Sequence, residues 1–329
     1  MELSPTIDLN FLTRYLQEKA WVKPSSSVLS VEKPGEGNMN RVLRLKTQNG
    51  SIILKQATDH VVKYPDIPAP ISRIAVENQF YQLAGEIEGT RHYFPEILGY
   101  DPAHHLLAME DLGESSDYTY LYQKGQAISV EAAEEIGKTL GLLHAFRFPE
   151  KQRSAFPSNL ELKQLNHQHI FVLPLMAENG FDLNAITPGL QALSTQYKTD
   201  PLLKSRAAAL GELYLGSGET LLHGDYYPGS WLRTSQGFKI IDPEFCFFGP
   251  PEFDLGVLLA HLKLAQQPED IQSAIVAGYG HQIDPSLLGQ FQGIEIIRRL
   301  IGLAQLPLDI DLMEKETLLA FAYQQLMTS

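Results

Sequence analysis

The sequence predicts an α+β protein in two parts, a small strand-rich part over residues 1–111 and a mostly helical part over 112–329. Three observations carry this. Residues 28–56 read as three consecutive antiparallel strands, the last two joined at Asn49-Gly50, a pair suited to the positive φ of a tight hairpin. From Gly113 on, apolar residues recur at helical spacing, as at Val130, Ala133, Ile136, Leu140 and Leu143. Between 221 and 256, short apolar runs end on turns that present Asp225, Asp242 and Glu244.

The elements follow in order. Leu9, Leu12, Tyr15 and Leu16 mark one face of a helix over 9–20. Strands at 28–32 and 41–47 flank the glycine-bearing loop Lys33–Asn40, and a third strand, 51–56, carries Lys55 near its end. Three prolines make 59–70 an irregular loop. Residues 71–84 read as a helix with Glu77 in its middle, and 95–101 and 106–109 as two more strands. Ser129 is placed to cap a helix over 130–146, with Glu131 in its first turn. Residues 147–199 show little pattern. Further helices are expected at 202–215, 252–265 and 294–304.

Composition narrows the partners. A net charge of −13 argues against nucleic acid and against an anionic membrane surface. No apolar run approaches a membrane span, and the acidic N-terminal stretch does not read as a signal peptide. The single cysteine, Cys246, excludes an intrachain disulfide and suits a cytoplasmic protein. His167 and His169 lie two apart, the spacing a metal pair on a strand would have, but no cysteine or carboxylate cluster joins them, so zinc is not expected. His144 reads as a packing or capping histidine.

The chemistry-bearing residues are carboxylates and one lysine. Asp225 follows His223-Gly224 in a turn, and Asp242 and Glu244 end an apolar strand 17 residues later. One carboxylate at such a place can orient a hydroxyl, and two others can hold a hard cation through oxygen. Lys55 is either a solvated strand-end lysine or a phosphate contact; in the second case it needs a carboxylate to fix its stem, and Glu77 is the candidate. Gly35 and Gly37, with Asn38, make either a plain hairpin turn or a loop that covers phosphates. Arg298-Arg299 interrupts an apolar helix, where the pair either snorkels to solvent or faces a ligand.

His223-Gly224-Asp225 followed by Asp242-Pro243-Glu244 resembles the aminoglycoside phosphotransferase and choline kinase group, and more narrowly methylthioribose kinase. Ser230, where the wider group has asparagine, is similar to the narrower pattern. So are GEGNMNRVLRL (35–45), MEDL (109–112) and IRRLIGLAQ (297–305). The resemblance spans most of the chain and is weakest between about 115 and 215.

It implies a bilobal protein-kinase-like fold that binds ATP and Mg²⁺, with Glu110 and Leu112 at the adenine-binding hinge and Lys55, fixed by Glu77, on the phosphates. Asp225 would be the catalytic carboxylate, and Asp242, Glu244 and Ser230 the metal group. Arg298 and Arg299 would face a small hydroxylic substrate, with Tyr226 and Tyr227 beside it. Asp254 would hold the catalytic loop by hydrogen bonds. The implied activity is ATP-dependent phosphorylation of methylthioribose or a related small sugar. Another small alcohol, an amino alcohol or aminoglycoside, is the alternative acceptor. An inactive nucleotide-binding regulator is disfavoured because Lys55, Asp225 and Asp242 are all present.

Overall fold

The computed structural model describes residues 1–35 and 39–328. They form two compact units. The first is Met1–Ser116 with Phe156–Leu162 and Leu232–Phe245; the second is Asp117–Ala155, Lys163–Trp231 and Cys246–Ser329.

The first unit is built on one antiparallel sheet. Its strands are β1 (Val28–Glu32), β2 (Arg41–Thr47), β3 (Gly50–Gln56), β6 (Ile97–Asp101) and β7 (Leu106–Glu110), in the order β1-β2-β3-β7-β6. The Asn49-Gly50 hairpin forms as expected: Thr47 pairs with Gly50, whose φ of 125° is open to glycine alone. Helix α1 (Leu9–Glu18) starts where the Asp8 side chain accepts the Phe11 N–H at 2.6 Å. It buries Leu12, Tyr15 and Leu16 in one core with Leu43, Leu45 and Leu54 of the sheet.

Residues 59–70, expected as an irregular loop, instead hold a two-stranded ribbon, β4 (His60–Val61) with β5 (Tyr64–Pro68). The prolines are compatible with it because a two-stranded ribbon has an unpaired side on each strand. Helix α2 (Arg73–Glu86) buries Ile74, Val76, Glu77, Phe80 and Ala84. Two later pieces of chain join this unit: the hairpin strands Trp231–Thr234 (from Leu232) and Gly237–Ile240, and the 3₁₀ turn Pro243–Phe245.

The second unit is largely helical. Helix α3 (Val130–Ala145) is capped by Ser129, whose hydroxyl accepts the Ala132 N–H at 3.2 Å. The stretch without clear pattern contains α4 (Glu150–Ala155), α5 (Leu160–His167) and α6 (Leu190–Thr199), with π- and 3₁₀-helical turns between the last two. His167 ends α5 and His169 lies in a π-helical turn, Gln168–Val172. Among the described residues no group of three or more His, Cys, Asp or Glu is placed to hold a metal ion.

Helix α7 (Pro201–Leu215) is followed by α8 (Glu252–Leu264), α9 (Glu269–Tyr279), α10 (Pro285–Ile301) and α11 (Leu312–Met327). Helices α3 and α9 pack backbone to backbone. A Cβ at Gly137 or Gly141 would sit 2.2 Å from the carbonyl oxygen of Ile275 or Tyr279, so only glycine permits the approach. Tyr214, Phe247, Phe253, Phe291 and Ile297 lie in one buried core. No described helix is long and apolar enough to cross a membrane.

Candidate active site

In the first unit, apolar burial carries a charged cluster. Lys55 projects from the end of β3 and is only 3% exposed. Its Nζ lies 2.7 Å from Glu77 Oε2 on α2 and 2.6 Å from Asp242 Oδ1. Burial works against the ammonium, but Asp242, Glu77 and Glu244 together hold its pKa well above the ordinary lysine value. Glu77 is fully buried; burial pushes its carboxyl up while Lys55 pulls it down. Losing either partner would strand the other charge away from water.

Asp242 is the exposed end of this cluster, its side chain half accessible. Buried Ile240 anchors the strand before it, and the 3₁₀ turn follows. Its φ is 62°, a left-handed conformation that costs a non-glycine residue about 1–3 kcal/mol and is typical of functional sites. Oδ1 takes the lysine, and Oδ2 accepts no hydrogen bond among the described residues.

Glu244 points inward. Its Oε2 accepts from Asn40 Nδ2 at 2.9 Å and lies 3.2 Å from Arg73 Nε, while its carbonyl accepts from Asn159 Nδ2 at 2.9 Å. Arg73 also donates to the carbonyls of Met39, Thr58 and Pro70, at 2.8, 2.6 and 2.9 Å. These contacts pin the base of the loop before β2. The donor set of Asp242 and Glu244, two carboxylates with hard oxygens, fits Mg²⁺.

In the second unit, Asp225 sits in a turn held from behind. Asp254, on the first turn of α8, accepts the backbone N–H of His223 at 2.6 Å and of Gly224 at 2.9 Å. His144 Nε2 lies 3.3 Å from the same carboxylate. The expected role of Asp254 is met. His144 packs as expected, but against a charged partner 110 residues away that helical spacing does not reveal. Gly224 takes φ 85°, which swings Asp225 out of the buried turn and leaves its side chain 22% exposed. Ser230 closes the loop, its hydroxyl donating to the Asp225 carbonyl at 2.9 Å.

Arg298 and Arg299 do not snorkel: they are 8% and 7% exposed. Both turn onto Glu295, one helical turn earlier. Arg298 Nη1 lies 3.0 Å from Glu295 Oε2, and Arg299 Nε donates to Oε1 at 2.6 Å. Arg299 Nη2 lies 3.5 Å from Asp225 Oδ1. The Tyr227 ring covers the Arg299 guanidinium at 5.3 Å. Burial pushes the Asp225 carboxyl up; Arg299 and Arg298 pull it down, and Glu295 and Asp254 push it up again.

The other sequence-derived candidates divide. Gly35 is exposed, while Gly37 and Asn38 lie outside the described residues. Glu110 ends β7 with its N–H donated to the Glu96 carbonyl, and Leu112 is buried. Tyr226, expected beside the substrate, is corrected: it is fully buried, and its hydroxyl donates to the Ile136 carbonyl at 3.0 Å. Glu295, Arg73 and Asn40 were not singled out. For Glu295 a signal exists, an acid three and four residues before two arginines on a helix. For Arg73 and Asn40 none does.

The family described as "Phosphotransferase enzyme family" matches residues 30–288. The chain belongs to it. The protein is a phosphotransferase that acts on an alcohol group. It is 30% identical over 276 residues to a methylthioribose kinase of Pectobacterium carotovorum subsp. carotovorum, covering 80% of this chain and 67% of that one. It is 28% identical over 327 residues to a methylthioribose kinase of Bacillus velezensis, covering 87% and 82%. The fold is that of a spectinomycin phosphotransferase solved with ADP and spectinomycin, at a TM-score of 0.55, 14% identity, and coverage of 97% and 99%. A choline kinase from Streptococcus pneumoniae matches at a TM-score of 0.50, 15% identity, and coverage of 96% and 98%. The kinase-like α+β fold expected from sequence is therefore present.

Proposed function

We propose that this phosphotransferase moves the γ-phosphoryl group of ATP to a hydroxyl of methylthioribose or a related small sugar. The observation that carries the phosphoryl chemistry is Lys55, buried and held between Glu77 and Asp242. A lysine fixed at both sides presents a positioned charge to phosphate oxygens, as phosphoryl transfer requires. The acceptor rests on the methylthioribose kinase relatives.

In this reading residues 1–111 handle the nucleotide, and 112–329 supply the catalytic carboxylate and the acceptor groups. Adenine is held by the Glu110 carbonyl and the Leu112 N–H, since the Glu110 N–H is already used within the sheet. Gly35, at the start of the glycine-bearing loop, borders the phosphates. Asp242, through its free oxygen, and Glu244 would hold magnesium, which neutralises phosphate charge when bound. Ser230 shapes the loop of Asp225. Asp225 accepts the proton of the acceptor hydroxyl; its partial exposure lets a hydroxyl reach it. Arg298 and Arg299 border the acceptor, with Tyr227 beside them.

A cationic acceptor, an amino alcohol or aminoglycoside, is the second reading. It is favoured by the charge balance, because Glu295 and Asp225 match the two arginines one for one.

The deciding experiment is turnover of Mg²⁺-ATP against methylthioribose, ribose, choline and an aminoglycoside, followed by ³¹P NMR. The highest kcat/KM is expected for methylthioribose. Preference for choline or the aminoglycoside selects the second reading, and no transfer to any hydroxyl removes the proposal.

A further inference from the structure

Glu295 has no part in the phosphoryl chemistry above, yet it is a 1% exposed carboxylate at the centre of a buried charged network. Burial opposes its charge, but Arg298, Arg299 and the His261 hydrogen bond hold its pKa well below the carboxylate range. Being ionised, it only accepts. His261 Nε2, at 3.2 Å, must therefore be the donor, and His261 Nδ1 accepts the Tyr122 hydroxyl at 2.5 Å. The directions of these hydrogen bonds are thus fixed, and His261 stays neutral.

Arg299 is fixed from several sides. Nε donates to Glu295 at 2.6 Å, Nη1 reaches the Ala304 carbonyl at 3.4 Å, and Tyr227 covers one face. The short contact is with Glu295; the contact with Asp225 is long, 3.5 Å. The guanidinium is therefore placed by Glu295 and only leans on Asp225. Without Glu295, a buried guanidinium would lose its strong partner, and an uncompensated buried charge is costly. Asp225 is the anion already in line with Nη2. Arg299 would close on it and occupy the oxygen that an acceptor hydroxyl needs.

We propose that Glu295 is a positioning residue that holds Arg299 back from Asp225, keeping a carboxylate oxygen of Asp225 free for the acceptor hydroxyl. This rests on the reading of Asp225 as the proton acceptor. It assigns the charge of Glu295 a kinetic consequence distinct from stability: the carboxylate matters only because Arg299 is present.

The test is a double-mutant cycle between Glu295→Gln and Arg299→Gln, measured as kcat at saturating acceptor, using the best acceptor from the panel above with Mg²⁺-ATP. Glu295→Gln is expected to lower kcat by roughly 10²-fold, the lower end of what a positioned base contributes, with the ATP KM unchanged. Adding Arg299→Gln should restore part of that loss, because the guanidinium that blocks Asp225 is gone. A purely structural Glu295 gives the opposite, a double variant no better than Glu295→Gln alone, and that result overturns the inference. Should Glu295→Gln fail to fold, Glu295→Asp replaces it. Keeping the charge on an arm one methylene shorter should hold kcat within about 10-fold of the wild type, less than the loss of a positioned base. A larger loss in soluble Glu295→Asp, with Mg²⁺-ADP binding intact, counts against the proposal. Asp225→Asn serves as the control. Wild-type turnover there removes the underlying reading of Asp225, whereas a large loss there with no rescue in the cycle removes only the role of Glu295.

Discussion

The two charged clusters are built as opposites. In the first unit one cation, Lys55, lies between two carboxylates, Glu77 and Asp242. In the second, one carboxylate, Glu295, lies between two cations, Arg298 and Arg299. In both, the buried centre is charge-compensated and a more accessible carboxylate stands at the edge, exposed Asp242 in one and partly buried Asp225 in the other. The engagement differs. Asp242 is gripped at 2.6 Å, whereas Asp225 is approached only to 3.5 Å. On the proposed reading, the tight grip suits a carboxylate that stays in place to hold a metal, and the loose one a carboxylate that accepts a proton.

The comparison can be broken at either edge. The largest effect is expected at Asp225. Asp225→Ala should lower kcat by about 10²–10⁴-fold, as for loss of a general base, with nucleotide binding retained in calorimetry. Near-wild-type turnover would make the two edges functionally unequal and return Asp225 to a structural role. At the other edge, Asp242→Asn should weaken Mg²⁺-dependent nucleotide binding and lower kcat by roughly 10²–10³-fold, the scale of losing an electrostatic stabiliser. An unchanged Mg²⁺ dependence would place the metal elsewhere.

Removing a centre tests burial instead. Lys55→Met leaves Glu77 buried without its cation and should cost about 3–5 kcal/mol of stability, read by urea unfolding. A loss below about 1 kcal/mol, the range of exposed ion pairs, would mean that Glu77 regains a partner.

The smallest effect is the pH dependence that His261 contributes in the second cluster. Burial lowers the His261 pKa to about 4, against about 6.5 when unfolded, so the unfolded chain binds the proton first. Stability from this group is full above pH 6.5 and falls as pH drops towards 4, by about 3 kcal/mol. His261→Gln should flatten thermal stability across that window. If the wild type and the variant lose stability in parallel, another group carries the acid limb.

Much of the framework was legible in the chain. The 28–56 strands, the Asn49-Gly50 hairpin, the Ser129 cap and most helices follow from patterns in neighbouring residues. The ribbon at 60–68 was not, since prolines mark a break without saying what lies on either side. Tyr226 was read as substrate-facing from its place next to Asp225, but a turn at Gly224 sends adjacent side chains in different directions.

By itself, the sequence determined which residues could carry the chemistry: Lys55, Glu77, Asp225, Asp242 and the arginine pair, and with them the family. Periodicity and turn chemistry are local, so they survive in the order of residues. Only the tertiary structure decided who compensates whom. A charged residue in a sequence does not reveal whether it will meet water or an opposite charge, and the partners here are far apart, Lys55 and Asp242 by 187 residues and His144 and Asp254 by 110. Burial makes each partner obligatory, because a charge removed from water must be met by another charge or a hydrogen bond. That requirement, satisfied only when the chain has folded, is what brings Arg73 to Glu244 and Lys55 to Asp242.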